Sequence, residues 1–478
     1  MNIPNILKSI QNIMWQDIGL NGDAQRIEQL GWMLFLKVFS DKDRQRQLND
    51  PNYNSDIPKD LQWIVEEGNW AGDENGMNSD DLIEFIDKKL FPSLKNINIE
   101  STSPRAKIVK EVFDGNHNYM KSGLNVRKVL NKLNEIDFSV AKDRHAFGEL
   151  YETILKDLQS AGKSGEFYTP RAITSFVTEM VSPQRGEKIL DPACGTGGYL
   201  TSAIDYLKRN LSDDTIDKIN EDNIRGWEYK PLPYLLATTN LILHDIEVPN
   251  ITLGDVLSKP LDHYKKQDKV DVILANPPFG GIVANNNENN FPSKYRTKES
   301  VDLFLLIIIN LLKDGGRAGL VLPDGSLTGD GVKQRIRQKL IEECNLHTII
   351  RLPNSVFQPY ASVSTNLLFF SKGAPTKEIW FYELHLPEGQ KAYNKTKPIQ
   401  IEEFDEIKKW WDNRVNGDFS WKVDINEIKN RNYDLDLKNP SYAFKNQNYY
   451  TSKELIHELE SSIAYSDKII LELKKFIK

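Results

Sequence analysis

Cysteine is nearly absent: Cys194 and Cys344 are the only two in 478 residues. They stand far apart, without companions at metal-ligand spacing, which excludes a disulfide framework and a cysteine-built zinc site. A basic surplus is missing as well. There are 61 lysines and arginines against 68 aspartates and glutamates, a formal net charge of −7. Proteins that hold DNA unaided usually carry the opposite balance, because phosphate neutralisation supplies most of the affinity. A nucleic-acid role would therefore need a local basic face or a partner that carries the affinity. Long apolar runs are lacking too. The most apolar stretch, Phe304 to Leu312, is too short to span a bilayer and contains Asn310. The opening residues, MNIPNILKSIQNIMWQDIG, lack the continuous apolar segment of a signal peptide. The expectation is a soluble protein of a reducing cytoplasm, with no membrane span and no bound metal. No internal repeat and no low-complexity tract occurs; Asn285–Asn290, NNNENN, reads as a local polar loop.

What is present supports two or three folded domains. Hydrophobic residues make up 39% and aromatics 10%, enough to bury real cores. Residues 1–160 read as a helical domain, by apolar periodicity near 3.6. Leu30, Met33, Leu34, Leu36, Lys37 and Phe39 form an amphipathic run predicted to end near Ser40-Asp41. Further helices are predicted over Asp80–Lys89, Arg105–Phe113, Asn125–Leu133 and Ala146–Gln159. Over residues 161–385 short apolar runs alternate with helical stretches. That rhythm predicts an α/β domain with a mostly parallel sheet covered on both faces. Residues 386–478 are charged and mixed, and close with a helix.

The sharpest signal is Asp191-Pro192-Ala193-Cys194-Gly195-Thr196-Gly197-Gly198, between a strand end and a helix start. Glycines let the backbone approach a ligand, and the new helix offers free N–H groups. A dinucleotide fingerprint wants Gly or Ala at position 200, where Leu200 stands, and a phosphate loop wants Gly-Lys-Ser/Thr, which is absent. A site for S-adenosylmethionine fits better, because the ammonium of its amino-acid end wants an acid such as Asp191 at a strand terminus. An ordinary strand-helix turn is the bland alternative. Glu228, in Gly226-Trp227-Glu228, ends the second strand and suits ribose hydroxyls. Asp255 follows the third strand; an adenine amino group and a simple turn cap explain it about equally well.

Val270–Ala275 reads as a buried strand, and Asn276-Pro277-Pro278-Phe279 follows at its carboxyl end. Two prolines make a rigid rim that presents carbonyls. The Asn276 side-chain oxygen and the Pro277 carbonyl can each accept one N–H of an adenine amine. Phe279 can stack on a base drawn out of a duplex.

With these motifs the chain resembles the modification (M) subunits of type I restriction–modification systems, which are N6-adenine DNA methyltransferases. Beyond the two motifs above, the resemblance rests on Gly165-Glu166-Phe167-Tyr168-Thr169-Pro170-Arg171, upstream of the glycine turn. It rests also on Gly31–Lys37, Leu322–Leu327, Leu352–Phe357 and Thr365–Phe370. It implies a seven-stranded, Rossmann-like S-adenosylmethionine-dependent methyltransferase domain behind a helical amino-terminal domain. It implies that Glu166 to Arg171 cap the cofactor. The implied partners are duplex DNA, a specificity subunit that reads the target, a second M copy and, in some assemblies, restriction subunits. The tetrapeptide alone also permits RNA, protein glutamine or cytosine N4 as substrate. A silent scaffold and a nucleotide-dependent oxidoreductase are disfavoured by the intact Asn276–Phe279 rim and by Leu200. From Ser452 onward, Ile456, Leu459, Ile463, Ser466, Ile470, Leu473 and Ile477 recur at steps of three and four. The seam alone suits a helix packed back on its own domain about as well as one that grips a partner; the resemblance implies that it docks on a helical partner, the specificity subunit.

Overall fold

The computed structural model describes residues 3–478 except 65, 98–102, 141–147, 155–167, 210–220, 285, 359–362, 395, 442–455, 471–478 and a few positions within 149–153 and 457–468. Helices come first: α1 (Ile3–Trp15), α2 (Asp23–Asn49), α3 (Ser79–Glu84), α4 (Phe91–Lys95), α5 (Pro104–Gly115) and α6 (Gly123–Asn134). α2 runs on to Asn49, past its predicted end. Nor is it one-sided there, since every residue from Leu30 to Asp41 is buried. Helices of its own domain lie on one side, and the helix Pro231–Leu243 of the following domain lies on the other. Its charged last turns are held by that domain, through Lys42 to Asp245 (3.1 Å) and Arg46 to Glu247.

The sheet follows, built from β1 (Ile189–Asp191), β2 (Ile224–Glu228), β3 (Asn250–Leu253), β4 (Val270–Ala275), β5 (Leu312–Pro323), β6 (Cys344–Arg351), β7 (Thr365–Lys372), β8 (Glu378–Glu383) and β9 (Ser420–Asp424). Its order is β3-β2-β1-β4-β5-β7-β6-β8-β9. Strands β1 to β5 are parallel, β7 is antiparallel to both neighbours, and β9 is antiparallel to β8. The sheet thus has nine strands among the described residues, where the family resemblance implied seven. The extra pair covers β6, which would otherwise be an open edge. Alternating Ile379 and Phe381 face Trp421 and Val423 on one buried side, with Phe381 and Trp421 stacked at 5.3 Å. The sheet therefore extends beyond residue 385.

Helices α7 (Arg171–Val181), α8 (Gly198–Arg209) and α9 (Pro231–Leu243) lie on one face, and α10 (Ser300–Leu311) lies on the other. Nearly every residue of α10 is buried, as its all-round apolar sequence requires. The helical domain shares one continuous core with the α9 side of the sheet. Gly31 of α2 lets α9 approach: a Cβ there would stand 3.0 Å from Leu235 Cδ2. Tyr234 Oη donates to Glu111 Oε2 (2.6 Å) across the same seam. No helix of the described residues is long and apolar enough to cross a membrane.

The connection order reverses between β1 and β4, which pair through Ile189–Val272 and Leu190–Ile273. In open α/β sheets this switch point leaves a crevice beyond the carboxyl ends of the strands. Asp191 ends β1, and Asn276 follows β4 directly.

Candidate active site

Beyond the end of β1 the backbone turns sharply. Gly195 (φ 54°) and Gly197 (φ 81°) take left-handed conformations that a side chain would strain. Asp191 is buried and accepts from Ala193 N (3.0 Å). Glu228 binds the turn to β2, accepting Gly195 N at Oε2 (2.9 Å) and Lys230 N at Oε1 (2.8 Å). Gly226 leaves room for the turn: a Cβ there would stand 3.0 Å from both Cys194 Sγ and Leu200 Cδ1 and would press on them. Gly198 opens α8, and a Cβ on it would lie 2.6 Å from Arg171 Nη1, so the guanidinium sits against the helix start.

Burial disfavours the charged form of both acids. It pushes the Asp191 carboxyl up to about 8, with Glu228 nearby adding to the effect. Glu228 is pushed up to about 7 by the same desolvation, opposed by its backbone donors. Two acids poised to ionise beside a glycine turn are a ready seat for a cationic, hydroxyl-bearing ligand.

Asp255 both caps the turn Val256–Ser258, through Leu257 N to Oδ1 (2.9 Å), and lines the cavity at the carboxyl ends of β1, β2 and β4. The two readings of that residue are therefore compatible. The cavity measures about 240 Å³ and is walled by Pro192, Trp227, Glu228, Asp255, Asn276 and Pro278, among others. A smaller one of about 20 Å³ lies between Thr169, Asp191, Tyr199 and Asn276. Asn276 and the glycine turn border both.

The Asn276 side chain has a defined orientation. Its Nδ2 donates to Thr169 Oγ1 (3.0 Å). Its Oδ1 is buried and meets no hydrogen-bond donor. An amide oxygen left this way lacks the hydrogen bond that water would give it, and it can accept one from a donor placed there. Pro277 is buried, while Pro278 and Phe279 are half-buried along the rim. Phe279 meets Phe357 edge to face, with ring centroids 6.0 Å apart.

Of the residues expected at the site, Tyr168, Thr169, Pro170 and Arg171 lead into α7, while Glu166 and Phe167 lie outside the described residues. Pro192, Ala193, Gly195, Thr196 and Gly198 line the cavities, and Gly197 packs away from them, against Leu241 and Ala237 of α9. Two features escaped the sequence reading. Tyr199, whose buried hydroxyl meets no partner, borders the small cavity, and nothing in its helical position signals that. Phe357 supports Phe279; its motif, Leu352–Phe357, was visible but its contact was not. No group of His, Cys, Asp and Glu among the described residues is arranged to hold a metal ion.

The N-6 DNA methylase family model matches residues 142–448, and the HsdM N-terminal domain model matches residues 3–135. The methylase subunit of the type I restriction enzyme EcoEI from Escherichia coli is 50% identical over 450 residues, 92% of this chain and 91% of its own. This chain belongs to the methylase subunits of type I restriction enzymes. A solved modification subunit assigned to a type I restriction enzyme of Vibrio vulnificus YJ016 superposes on this methylase subunit with a TM-score of 0.80. It is 39% identical, over 92% of this chain and 97% of the other. A chain from a structural study of type I restriction–modification assembly and conformational transition gives a TM-score of 0.82 at 32% identity, covering 99% and 98%.

Proposed function

We propose that this methylase subunit holds S-adenosylmethionine between the glycine turn and Asp255, and methylates the exocyclic amine of an adenine held at Asn276. The observation that carries the reading is the Asn276 side chain, whose amide is turned by Thr169 so that a buried, unpartnered oxygen faces the site. The donor set suits the cofactor. Asp191 answers the ammonium, Glu228 the ribose hydroxyls, and Asp255 the adenine amino group. Gly195, Thr196 and Gly198 let the backbone come close, and Gly197 shapes the turn that carries them. Tyr168 to Arg171 close the amino-acid end; Glu166 and Phe167, the start of the same motif, lie outside the described residues. When bound, the cofactor supplies an electrophilic methyl group on a cationic sulfur.

The chain's own groups do the rest. Asn276 Oδ1 and the Pro277 carbonyl accept the two N–H bonds of the target amine. That pair of acceptors draws the nitrogen out of conjugation with the ring and directs its lone pair toward the cofactor. Phe279, backed by Phe357, stacks on a base swung out of the duplex. The prolines fix the rim, so little reorganisation is needed. Labelled-methyl transfer to duplex DNA, RNA and protein, run with the co-expressed partner subunits, tests this: label in N6-methyladenine of duplex DNA is expected. Label confined to RNA or protein would refute it.

The finer partner reading is an assembly of two M copies with one specificity subunit, joined where present by restriction subunits, in the cytoplasm. The tail supports it. Ile456, Leu459, Ile463 and Ile470 are helical and 47–64% exposed, an apolar stripe left uncovered by the described residues. Removal of all residues after Asn448 is expected to leave a folded, cofactor-binding chain that no longer co-elutes with the specificity subunit. Retained assembly would refute the docking role.

A further inference from the structure

The polar run Asn286–Asn290 reaches the cofactor cavity from outside. Its segment leaves the catalytic rim directly after Phe279, with Gly280 at φ 66°, and returns at Ser300. The base is closed by Val283 N donating to Lys298 O (2.9 Å) and Ser300 N donating to Gly281 O (3.0 Å). Ile282, 79% exposed, and Val283 line the cavity from this segment. The far end is pinned to the wall that carries Asp255. Asn287 Nδ2 donates to Asp255 Oδ2 (2.8 Å), and Asn290 Nδ2 donates to Leu257 O (2.9 Å). One stretch of chain therefore starts at the tetrapeptide and ends on the acid that faces the cavity.

The consequence for Asp255 is orientational. Leu257 N fixes Oδ1, and Asn287, which is not part of the cavity wall, fixes Oδ2. Each carboxylate oxygen keeps a further lone pair for a ligand. A carboxylate held at both oxygens cannot swing to suit a different pattern of donors. It accepts an N–H at a fixed place and repels an oxygen put there instead. Sites that hydrogen-bond a group in this way discriminate strongly against analogues that lack it.

We propose that Asn287 is a positioning residue that fixes the Asp255 carboxylate, and thereby sets the preference of the cavity for an adenine over a 6-oxopurine. The proposal rests on the reading of Asp255 given above. It is tested on the full chain by calorimetry with S-adenosylhomocysteine and with its inosine counterpart, S-inosylhomocysteine. Asn287→Ala and Asn287→Ser are each expected to cut the preference for the adenosyl ligand about fivefold to tenfold. Affinity for the inosyl ligand stays unchanged. In turnover, KM for the cofactor rises while kcat at saturation holds. A loss shared equally by both ligands, or an unchanged ratio, would overturn the proposal. Asp255→Ala separates the two layers. If it lowers the ratio and the Asn287 variants do not, only the role of Asn287 fails. If it leaves the ratio unchanged, the reading of Asp255 fails and the proposal with it.

Discussion

Buried carboxylates occur in both halves of the molecule, and they are treated differently. In the helical domain each has an answer. Asp41 meets Lys37 at 2.6 Å, Asp43 meets Arg105, and Asp17 accepts from the backbone of Gly19, Lys121 and Ser122. Burial still pushes the Asp41 carboxyl upward, but Lys37 opposes it. At the carboxyl edge of the sheet, Asp191 has one backbone donor, and its acidic neighbour Glu228 adds to its upward shift. Asn276 Oδ1, beside it, has no donor. The first arrangement is completed by folding. The second is not completed by the fold among the described residues, which is why the proposed site is assigned there.

The largest effect should come from the unpartnered acceptor. Asn276→Ala is expected to lower methylation by orders of magnitude, roughly 10²–10³-fold for a lost acceptor in the transition state. Cofactor affinity, read by calorimetry on the same protein, should stay near that of the parent chain. Substantial turnover by the variant would remove the catalytic assignment. Thr169→Val should fall next, by roughly tenfold in kcat, because Asn276 keeps its oxygen but loses the bond that turns it. Restoration of most of that loss by Thr169→Ser would confirm that the hydroxyl matters.

Proton linkage gives a smaller, signed effect. Asp191 rises to about 8 in the ligand-free chain, so it is mostly protonated at pH 7. A cation bound beside it favours ionisation, so cofactor binding should release a proton and tighten as pH rises from 6 to 8. Calorimetry in buffers of different ionisation enthalpy measures this; proton uptake would contradict it. Glu228, raised to about 7, adds to the same trend on the apo chain. Folded carboxyls raised in this way contribute stability that is complete below their unfolded range, near pH 4, and is lost as pH climbs through about 7 to 8. The ligand-free chain should therefore melt earlier at pH 8.5 than at pH 6, and saturating cofactor should narrow the gap.

Much of the site was legible in the sequence because its chemistry is local. The left-handed turns at Gly195 and Gly197 favour glycine, and the rim is stiffened by the adjacent Pro277 and Pro278. A strand reads as an apolar run before each. The bond from Asn276 to Thr169 was not legible, since 107 residues separate the two and neither carries a periodic signal. Nor was β9: Ser-Trp-Lys-Val-Asp is short, charged and isolated in a polar region, and only its pairing with β8 makes it a strand. The length of α2 was underestimated for a related reason. Its last turns are polar in sequence, and the charges that hold them belong to the next domain. Asn287 looked like part of a solvated loop because composition does not reveal that its amide ends on Asp255.

The most direct test of the contrast is thermal stability of Asp41→Asn and Asp191→Asn, measured on the ligand-free chain at pH 8. Asp41→Asn strands the Lys37 ammonium, and breaking such a buried pair costs roughly 3–5 kcal/mol. Asp191→Asn removes a carboxyl that burial disfavours in its charged form, and keeps an oxygen for Ala193 N. The account predicts opposite signs: a clear fall in Tm for Asp41→Asn and an unchanged or raised Tm for Asp191→Asn. Similar losses in both would contradict it, because Asp191 would then be held by the fold as firmly as Asp41.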